Sequence, residues 1–360
     1  MEREEILVLS YLGIGIKRYS LLKERYKSLL EIPKSEIQEV SKLLKIDEEK
    51  LSEITKEENL TKTLERLKNI LEKYQVKFVT VEDKDYPNKI KDLSDKPLVL
   101  FYKGDISLAN NYLTCGIVGT RRNDNKGKNH TKNIVDLLVD NDVCIVSGLA
   151  RGIDIIAHRR ALERNGKTIA VIGHGLDYVY PPEHKKEFEE IGEKGLILTE
   201  FFIGENPLKR NFFIRNRIIS GLSNVVVIVQ APEGSGALIT GEYALKQKRT
   251  LFAIPGDIEN PLHRGCNLMI RKGAKILIDY KDILEELGYK ATQSTEKVQS
   301  VELNEEEKFV YSLITGDMTL DDLAEISGLP VNKLYPILLS LEIKGIIIQN
   351  AGGTFSRIII

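Results

Sequence analysis

A basic and aromatic segment that begins at Lys209 holds the residue types that bind single-stranded nucleic acid. Its cations and aromatic side chains are Lys209, Arg210, Phe212, Phe213, Arg215 and Arg217, and an apolar helical run follows them. Guanidinium and ammonium groups donate hydrogen bonds to phosphate, and an aromatic face is a platform on which a base stacks. The start of a solvated amphipathic helix has a similar composition, and the segment alone favours that simpler interpretation.

Four further segments are rich in glycine, and each follows a short apolar run. They are Gly119–Arg122, Ser147–Gly152, Gly173–Asp177 and Glu233–Gly236. Glycine lets the backbone approach a ligand closely, and the free N–H groups at the start of a following helix attract anions. A tight turn between a strand and a helix uses the same glycines, and for any one segment this explanation is favoured. Four such segments on one edge of a sheet would form a phosphate-binding surface.

The established nucleotide fingerprints are absent from these segments. The pair Gly173 and Gly175 is followed by Tyr178 where a dinucleotide motif has its third glycine. Lys128 is followed by Asn129, whereas a Walker A loop has serine or threonine after its lysine. The sequence therefore predicts an anion-binding crevice without naming its ligand.

Candidate catalytic residues are few. Among the histidines, His158 and His174 lie nearest the predicted crevice, and neither has an evident catalytic partner in the sequence. Asp154 and Asp177 are not accompanied by a third metal ligand at a sequence spacing typical of a metal site. We predict neither catalysis nor a metal or cofactor. The alternative is a Rossmann-like nucleotide or phosphoribose hydrolase, although the segment 255–257 lacks the Pro-Gly-Gly signature of one such enzyme class.

The elements that must position these residues alternate between short apolar runs and amphipathic helices. The predicted strands are Tyr112–Gly119, Val143–Gly148, Thr168–Gly173, Leu196–Glu200, Asn224–Gln230, Thr250–Gly256 and Lys275–Asp279. Strands that are apolar on both faces and alternate with helices form a parallel sheet covered on both sides. We therefore expect an α/β fold with an extended, Rossmann-like, doubly wound and mostly parallel sheet. Its ligands bind outside the carboxyl ends of the strands.

Composition limits the class of protein. The 360 residues are 42% hydrophobic and 29% charged, which is typical of a globular protein of two or three domains. The sequence shows neither a targeting segment nor an apolar run of membrane-spanning length, so we expect a cytoplasmic protein without membrane contact. Three cysteines without metal-ligand spacing are interpreted as buried thiols.

Charge is distributed unevenly along the chain. The formal net charge is -1, yet residues 112–288 contain 25 Lys and Arg against 22 Asp and Glu, a balance of +3. Residues 303–360 contain 4 against 8, a balance of -4. Binding to phosphates requires a local excess of cations, so a nucleic-acid site is expected in the middle of the chain.

The order of the motifs resembles the DNA-processing protein A family, also called Smf. The motifs are Gly116–Arg121, Ser147–Asp154, Gly175–Asp177 with Tyr180–Pro181, Arg215–Arg217, Ser235–Thr240 and Pro255–Gly256. Ahead of them, Asp85–Pro87 and Pro97–Gly104 resemble the lead-in to the Rossmann-like domain of that family. The resemblance covers nearly the whole chain.

The resemblance implies a dimeric protein that binds and protects single-stranded DNA without cutting it. It also implies that the protein loads the RecA recombinase during natural transformation, and that the homodimer forms through the Rossmann-like domain. By position, Arg121, Lys209 and Phe212 match the family residues that contact DNA. Phe213 stands where the family usually has proline, which leaves open which aromatic ring stacks on a base.

Resemblance and residue chemistry together predict the binding site. Its residues are Gly119, Thr120, Arg121, Arg122, Ser147, Gly148, Gly175, Lys209, Phe212, Arg215, Asn216, Arg217, Ser235 and Gly236. Arg215 and Arg217 lie two positions apart on a helix, so at most one is expected to face the DNA. The other is expected to pair with Asp154 or Glu200.

The resemblance also suggests flanking domains. Residues 1–75 resemble a helical SAM or helix-hairpin-helix module with a turn at residues 12–16, and residues 76–289 form the Rossmann-like domain with its lead-in. Residues 290–302 are interpreted as a linker, and residues 303–360 resemble a winged helix. A winged helix that reads duplex DNA presents a basic recognition helix. Because this domain is acidic, we predict a protein-interaction or regulatory role for it.

Overall fold

The computed structural model describes residues 1–289, 303–350 and 352–357, which form two compact units on either side of the predicted linker. The predicted linker, residues 290–302, lies outside the described residues. The boundary predicted between residues 75 and 76 falls inside the first unit, and the predicted domain limits stay a prediction. Within the described residues, no helix combines the length and the apolar character that crossing a membrane requires.

The chain begins with a cluster of helices. They are α1 (Arg3–Tyr11), α2 (Ile16–Arg25), α3 (Ile37–Leu44), α4 (Glu48–Ile54) and α5 (Glu57–Lys73), with 3-10 turns at Leu29–Glu31 and Lys34–Glu36. The predicted turn between the first two helices is present, and Gly13 adopts a φ of 77° there. Buried side chains such as Ile6 and Leu67 share one core with Val99, Phe101 and Ile197 of the sheet.

A sheet of nine strands forms the centre of the first unit. The strands are β1 (Lys77–Thr80), β2 (Val99–Gly104), β3 (Thr114–Val118), β4 (Cys144–Ser147), β5 (Thr168–Val171), β6 (Leu196–Thr199), β7 (Val225–Ile228), β8 (Thr250–Ala253) and β9 (Lys275–Ile276). Their order is β1-β2-β6-β5-β4-β3-β7-β8-β9. The seven predicted strands, β3 to β9, are all parallel, which confirms the predicted fold class.

Two strands were not predicted from the sequence. β1 pairs with β2, and β2 pairs with β6, both antiparallel. These two strands come from the segment that precedes the parallel strands in sequence, and they add to the sheet beside β6. The lead-in to the Rossmann-like domain is therefore part of the same sheet.

Helices cover both faces of this sheet. They are α6 (Asn88–Lys91), α7 (Leu108–Asn111), α8 (Asn125–Asp140), α9 (Ile153–Glu163), α10 (Lys185–Lys194), α11 (Lys209–Leu222), α12 (Gly236–Lys246), α13 (Arg264–Arg271) and α14 (Lys281–Glu286). Successive strand residues point to opposite faces. Accordingly Val226 packs with Ile218 of α11, whereas Val227 packs in a separate core with Ile134 of α8 and Ala157 of α9.

The direction of chain progression reverses at β3. From this strand the chain adds β4, β5 and β6 on one side and later β7, β8 and β9 on the other. The loops that leave the carboxyl ends of β3 and β7 therefore diverge and leave a crevice between them. In open α/β sheets this is where ligands bind.

The second unit has the predicted winged-helix architecture. Its elements are α15 (Glu305–Leu313), β10 (Met318–Thr319), α16 (Leu320–Ser327), α17 (Val331–Ile343), β11 (Ile347–Gln349) and β12 (Thr354–Arg357). The strand order is β10-β12-β11, and the core contains Val310, Leu323, Leu334, Leu338 and Phe355. Helices α16 and α17 form the helix-turn-helix, and strands β11 and β12 form the wing. Residues 358–360 of the predicted domain lie outside the described residues.

The three cysteines, Cys115, Cys144 and Cys266, are buried and free, as predicted. Burial raises the pKa of the Cys144 and Cys266 thiols to about 12, because an apolar interior disfavours the thiolate. They are inert packing residues.

Candidate nucleic-acid interface

A cleft of about 600 Å³ opens where the loops after β3 and β7 diverge, and the start of α11 forms its third wall. The backbone N–H of Thr120 donates to the carbonyl oxygen of Gln230 over 2.7 Å, which ties the two loops together. Gly119 is required here, since a Cβ atom would lie 2.9 Å from that carbonyl and 2.4 Å from Ile153. Gly152, with a φ of 78°, brings the β4 loop against Thr120 in the same way.

Most of the predicted site residues meet in this cleft. Its walls include Gly119, Thr120, Arg121, Arg122, Lys209, Phe212, Arg215, Asn216, Ser235 and Gly236. Gly148 lines a small adjoining cavity together with Arg121 and Phe212. The structure thus brings together segments separated by more than 110 residues of sequence.

Three predicted residues do not line the cleft. The Ser147 hydroxyl is buried and donates to the carbonyl oxygen of Ile117 over 2.6 Å. Gly175 packs its α-carbon against the backbone of Phe202. Arg217 is buried and forms an ion pair in which its Nη2 lies 2.5 Å from Glu200 Oε2. These residues support the walls, and any contact that they make with DNA stays a prediction.

Exposed cations form the rim. Arg121 and Arg122 extend from the β3 loop, and Lys209 stands in the first turn of α11. Within the described residues none of the three forms an ion pair with a carboxylate. The first turn of α11 contains no acidic residue, so its free N–H groups add to the positive potential. The rim is therefore prepared to receive anions.

Arg215 is a buried part of the cleft floor, with only 4% of its surface exposed. Its Nη1 donates to the carbonyl oxygens of Gly148, over 2.8 Å, and of Val171, so it joins the ends of β4 and β5. Its Nε donates to Asn216 Oδ1 over 3.1 Å. Burial lowers its pKa to about 10, but it remains charged at neutral pH.

Asp154 is the acidic partner on this floor. Its carboxylate accepts the backbone N–H of Gly148 over 3.2 Å. Burial raises the pKa of this carboxyl to about 6, and the nearby charge of Arg215 opposes that rise. Of the two ion pairs considered for Arg215 and Arg217, the one between Arg217 and Glu200 is a direct contact, whereas Asp154 acts on Arg215 through its charge.

The two phenylalanines have different environments. The Phe212 ring lies 5.5 Å from the Tyr180 ring, and the Arg121 and Arg215 guanidinium carbons stand 5.9 and 5.8 Å from its centroid. Phe213 is 37% exposed, and Lys209 Nζ lies 5.9 Å from its centroid. Phe213 consequently offers the more accessible face.

Several cleft residues were not among the predicted site residues. They are Val118, Ala150, Asp154, Tyr180, Pro207, Phe213, Ile219, Pro232, Glu233, Gly234, Ala237 and Thr240. Most of them belong to or adjoin the motifs named in the sequence analysis, so proximity to a motif is the sequence signal that could have identified them. Whether each side chain points into the cleft depends on the fold.

The candidate catalytic histidines are packed residues. His158 is fully buried with its Nδ1 2.7 Å from Thr168 Oγ1, and burial lowers its pKa to about 3. His174 is buried against Tyr180 and Phe212. In the part of the chain that the structure describes, no group of three or more His, Cys, Asp or Glu side chains is placed to hold a metal.

Comparison with known proteins decides the family. The family model described as DNA recombination-mediator protein A matches residues 77–288, which is more than half of the chain and includes every cleft residue. The chain belongs to the DNA recombination-mediator protein A family. A second model, described as the DprA winged helix domain, matches residues 294–353. The resemblance that rests on the ordered motifs is confirmed.

Relatives in this recombination-mediator family span most of the chain. Protein Smf of Synechocystis sp. is 33% identical over 80% of this chain and 82% of its own length. DNA processing protein DprA of Streptococcus pneumoniae is 42% identical over 58% of this chain and 74% of its own length.

Solved structures of the family show the same fold. DNA processing protein A of Streptococcus pneumoniae superposes with a TM-score of 0.58 at 33% identity, covering 75% of this chain and 98% of that one. The protein from Helicobacter pylori gives a TM-score of 0.54 at 34% identity, covering 59% and 97%. That structure is described for the unique single-stranded DNA binding mode of the Helicobacter protein.

Proposed function

We propose that this family member binds single-stranded DNA in the cleft without cutting it, and loads the RecA recombinase onto the bound strand during natural transformation or recombination. The observation that carries the proposal is the rim of Arg121, Arg122 and Lys209, which lack carboxylate partners within the described residues. Arg121 lies beside the Phe212 ring, and Lys209 lies beside the Phe213 ring. Such cations neutralise phosphates, and such rings stack on bases. The binding mode described for the Helicobacter relative supports the same ligand class. The place of action is then the cytoplasm.

In this proposal, the phosphates of the strand bind the cations of the rim, and one base stacks on the Phe213 ring. The backbone N–H groups at the start of α11 add further donors, because no side chain caps that helix. On α12, Ser235 already accepts the N–H of Ala237 over 3.3 Å. Phe212 is packed between Tyr180 and two guanidinium groups, so we assign it a structural role in holding the Arg121 and Arg215 side chains. A base must be unpaired to expose the face that stacks, which is the reason to expect a preference for single strands.

Titration with labelled oligo-dT and with a duplex of equal length tests the proposed ligand. We expect tighter binding of the single strand, and Phe213→Ala should weaken it by about 1–3 kcal/mol, the usual range for one base stack. Phe309→Ala, which removes an exposed ring from the second unit, is the matched control. Equal affinity for duplex and single strand, unaltered by Phe213→Ala, would remove the basis of the proposal.

A nucleotide hydrolase remains the alternative because Asp154, a carboxyl with a raised pKa, lies on the cleft floor. Its position beside Arg215 is equally consistent with a structural charge pair. Incubation with nucleoside monophosphates distinguishes the two functions. Turnover that disappears in Asp154→Asn would support the enzyme.

RecA loading and a homodimer are the remaining parts of the proposal. The dimer surface that we propose is the segment 262–278, a choice supported by the exposure of Ile276 on the edge strand β9 and of the adjacent Ile278. RecA filament formation on strands coated with single-strand-binding protein measures the loading. Acceleration by this protein is expected, and absence of any acceleration would limit the function to strand binding.

A further inference from the structure

The second unit presents an apolar helix face to its surroundings. On α17, Val331, Tyr335, Leu339 and Ile343 are 44, 47, 46 and 79% exposed. They are four residues apart, and residues at this spacing lie on one side of a helix. An adjacent side of α17 carries Leu334, Leu338 and Leu341, which are fully buried in the core of this unit.

A helix that is apolar on both sides is typical of a buried helix. In α17 only one of these sides is covered by the described part of its own unit. We call the exposed side, formed by Val331, Tyr335, Leu339 and Ile343, the α17 face. Isolated exposed apolar residues are common, whereas four in register along one helix indicate an interaction surface.

The second unit, which carries this face, is acidic overall, although its described part also contains the cations Lys308, Lys333, Lys344 and Arg357. The described part of the unit contains eight carboxylates, and only Glu305 and Glu307 form ion pairs, with Lys308 and Lys344. The other six are Glu306, Asp317, Asp321, Asp322, Glu325 and Glu342. On α16, which packs beside α17, Asp321 and Glu325 are exposed together with Ile326.

The apolar face and the acidic charge of the unit together indicate which kind of partner could bind there. DNA is disfavoured, because its phosphates would meet an apolar ridge on a unit whose described part has twice as many carboxylates as cations. A second copy of the unit is disfavoured as well, because two acidic surfaces would face each other. An amphipathic helix with an apolar stripe and basic flanks would cover the α17 face with its stripe and pair its cations with the carboxylates that lack ion pairs.

We propose that the α17 face is a docking site for a basic amphipathic helix of a partner protein. The apolar stripe of that helix covers Tyr335, Leu339 and Ile343, and its cations approach the carboxylates of α16. The winged-helix unit therefore acts as a protein-recognition module. This site is independent of the proposed DNA cleft.

Two synthetic helical peptides test the proposal on the full-length protein. Both are 18 residues long with the same leucine stripe, and their polar face is lysine in one and glutamate in the other. We expect the lysine peptide to bind at least ten-fold more tightly. Leu339→Glu and Ile343→Glu should each weaken that binding by about 10- to 100-fold, the equivalent of one buried leucine or isoleucine side chain.

The control variant is Ile258→Glu, which changes an exposed isoleucine of the first unit and should leave peptide binding unchanged. Circular dichroism verifies that the variants are folded, and unchanged oligo-dT affinity separates this site from the cleft. Equal binding of both peptides, or full binding by both α17 variants, would overturn the proposal. Self-association of the wild type that both α17 variants abolish would instead assign the face to a second copy.

Discussion

At the residue scale, Asp154 makes the stability of the first unit depend on pH. Burial raises its carboxyl pKa from 3.8 to about 6, so between these values the native state binds a proton that the unfolded chain has released. The stability that this proton contributes is complete below about pH 4 and is lost as the pH rises through 6. Relative to Asp154→Asn, the wild type should lose on the order of 3 kcal/mol of unfolding free energy across this range.

Urea unfolding of both proteins at a series of pH values measures this difference. Glu205→Gln, which changes an exposed carboxylate, is the control. Parallel curves for the wild type and Asp154→Asn would show that the carboxyl is not protonated by burial.

The sequence predicted the residue types of the cleft better than their individual orientations. Arg121, Lys209 and Phe212 were expected at one site from chemistry and resemblance, and they line one cleft. The burial of Arg217 depends on Glu200, which follows β6 in a different part of the chain. Helical spacing predicted that Arg215 and Arg217 face different ways. It could not predict that both would be buried, because that depends on which loops pack above α11.

At the element scale, α11 serves both the cleft and the core. Its first turns bring Lys209, Phe212 and Phe213 to the cleft, and its middle places Arg215 and Arg217 under the loops. The parallel strands were predictable because each is an apolar run bounded by turn residues. β1 and β2 were missed, although residues 98–102 form an apolar run bounded by Pro97 and Gly104. Both strands pair antiparallel and lie outside the strand–helix alternation on which the prediction rested.

A prediction at the element scale concerns the edge strand β9 as a dimer interface. Ile278 is 87% exposed beside an edge that pairs only with β8 among the described strands. If dimerisation uses this edge, Ile278→Glu should shift the protein from dimer to monomer, because a carboxylate would be buried at the interface. Sedimentation measures the change, with Ile258→Glu as the control. A dimer that survives Ile278→Glu with unaltered affinity would place the interface elsewhere.

At the scale of the whole molecule, charge is separated between the two units. A chain with a net charge of -1 is an unpromising DNA-binding protein by composition alone. Within the described residues, the fold concentrates cations without carboxylate partners at the cleft, and it leaves six carboxylates without ion pairs on the winged-helix unit. This separation predicts that DNA binding depends on a few local cations and not on overall charge.

The salt dependence of oligo-dT binding tests the central claim most directly. Each phosphate contact with a single strand contributes roughly 0.7 to the slope of log K against log salt concentration. The double variant Arg121→Ala with Lys209→Ala should therefore bind more weakly and reduce the slope by roughly 1.4. Lys246→Ala, which removes an exposed cation at the opposite end of α12, should change neither quantity. An unchanged affinity and slope in the double variant would contradict the assignment of the cleft as the DNA site.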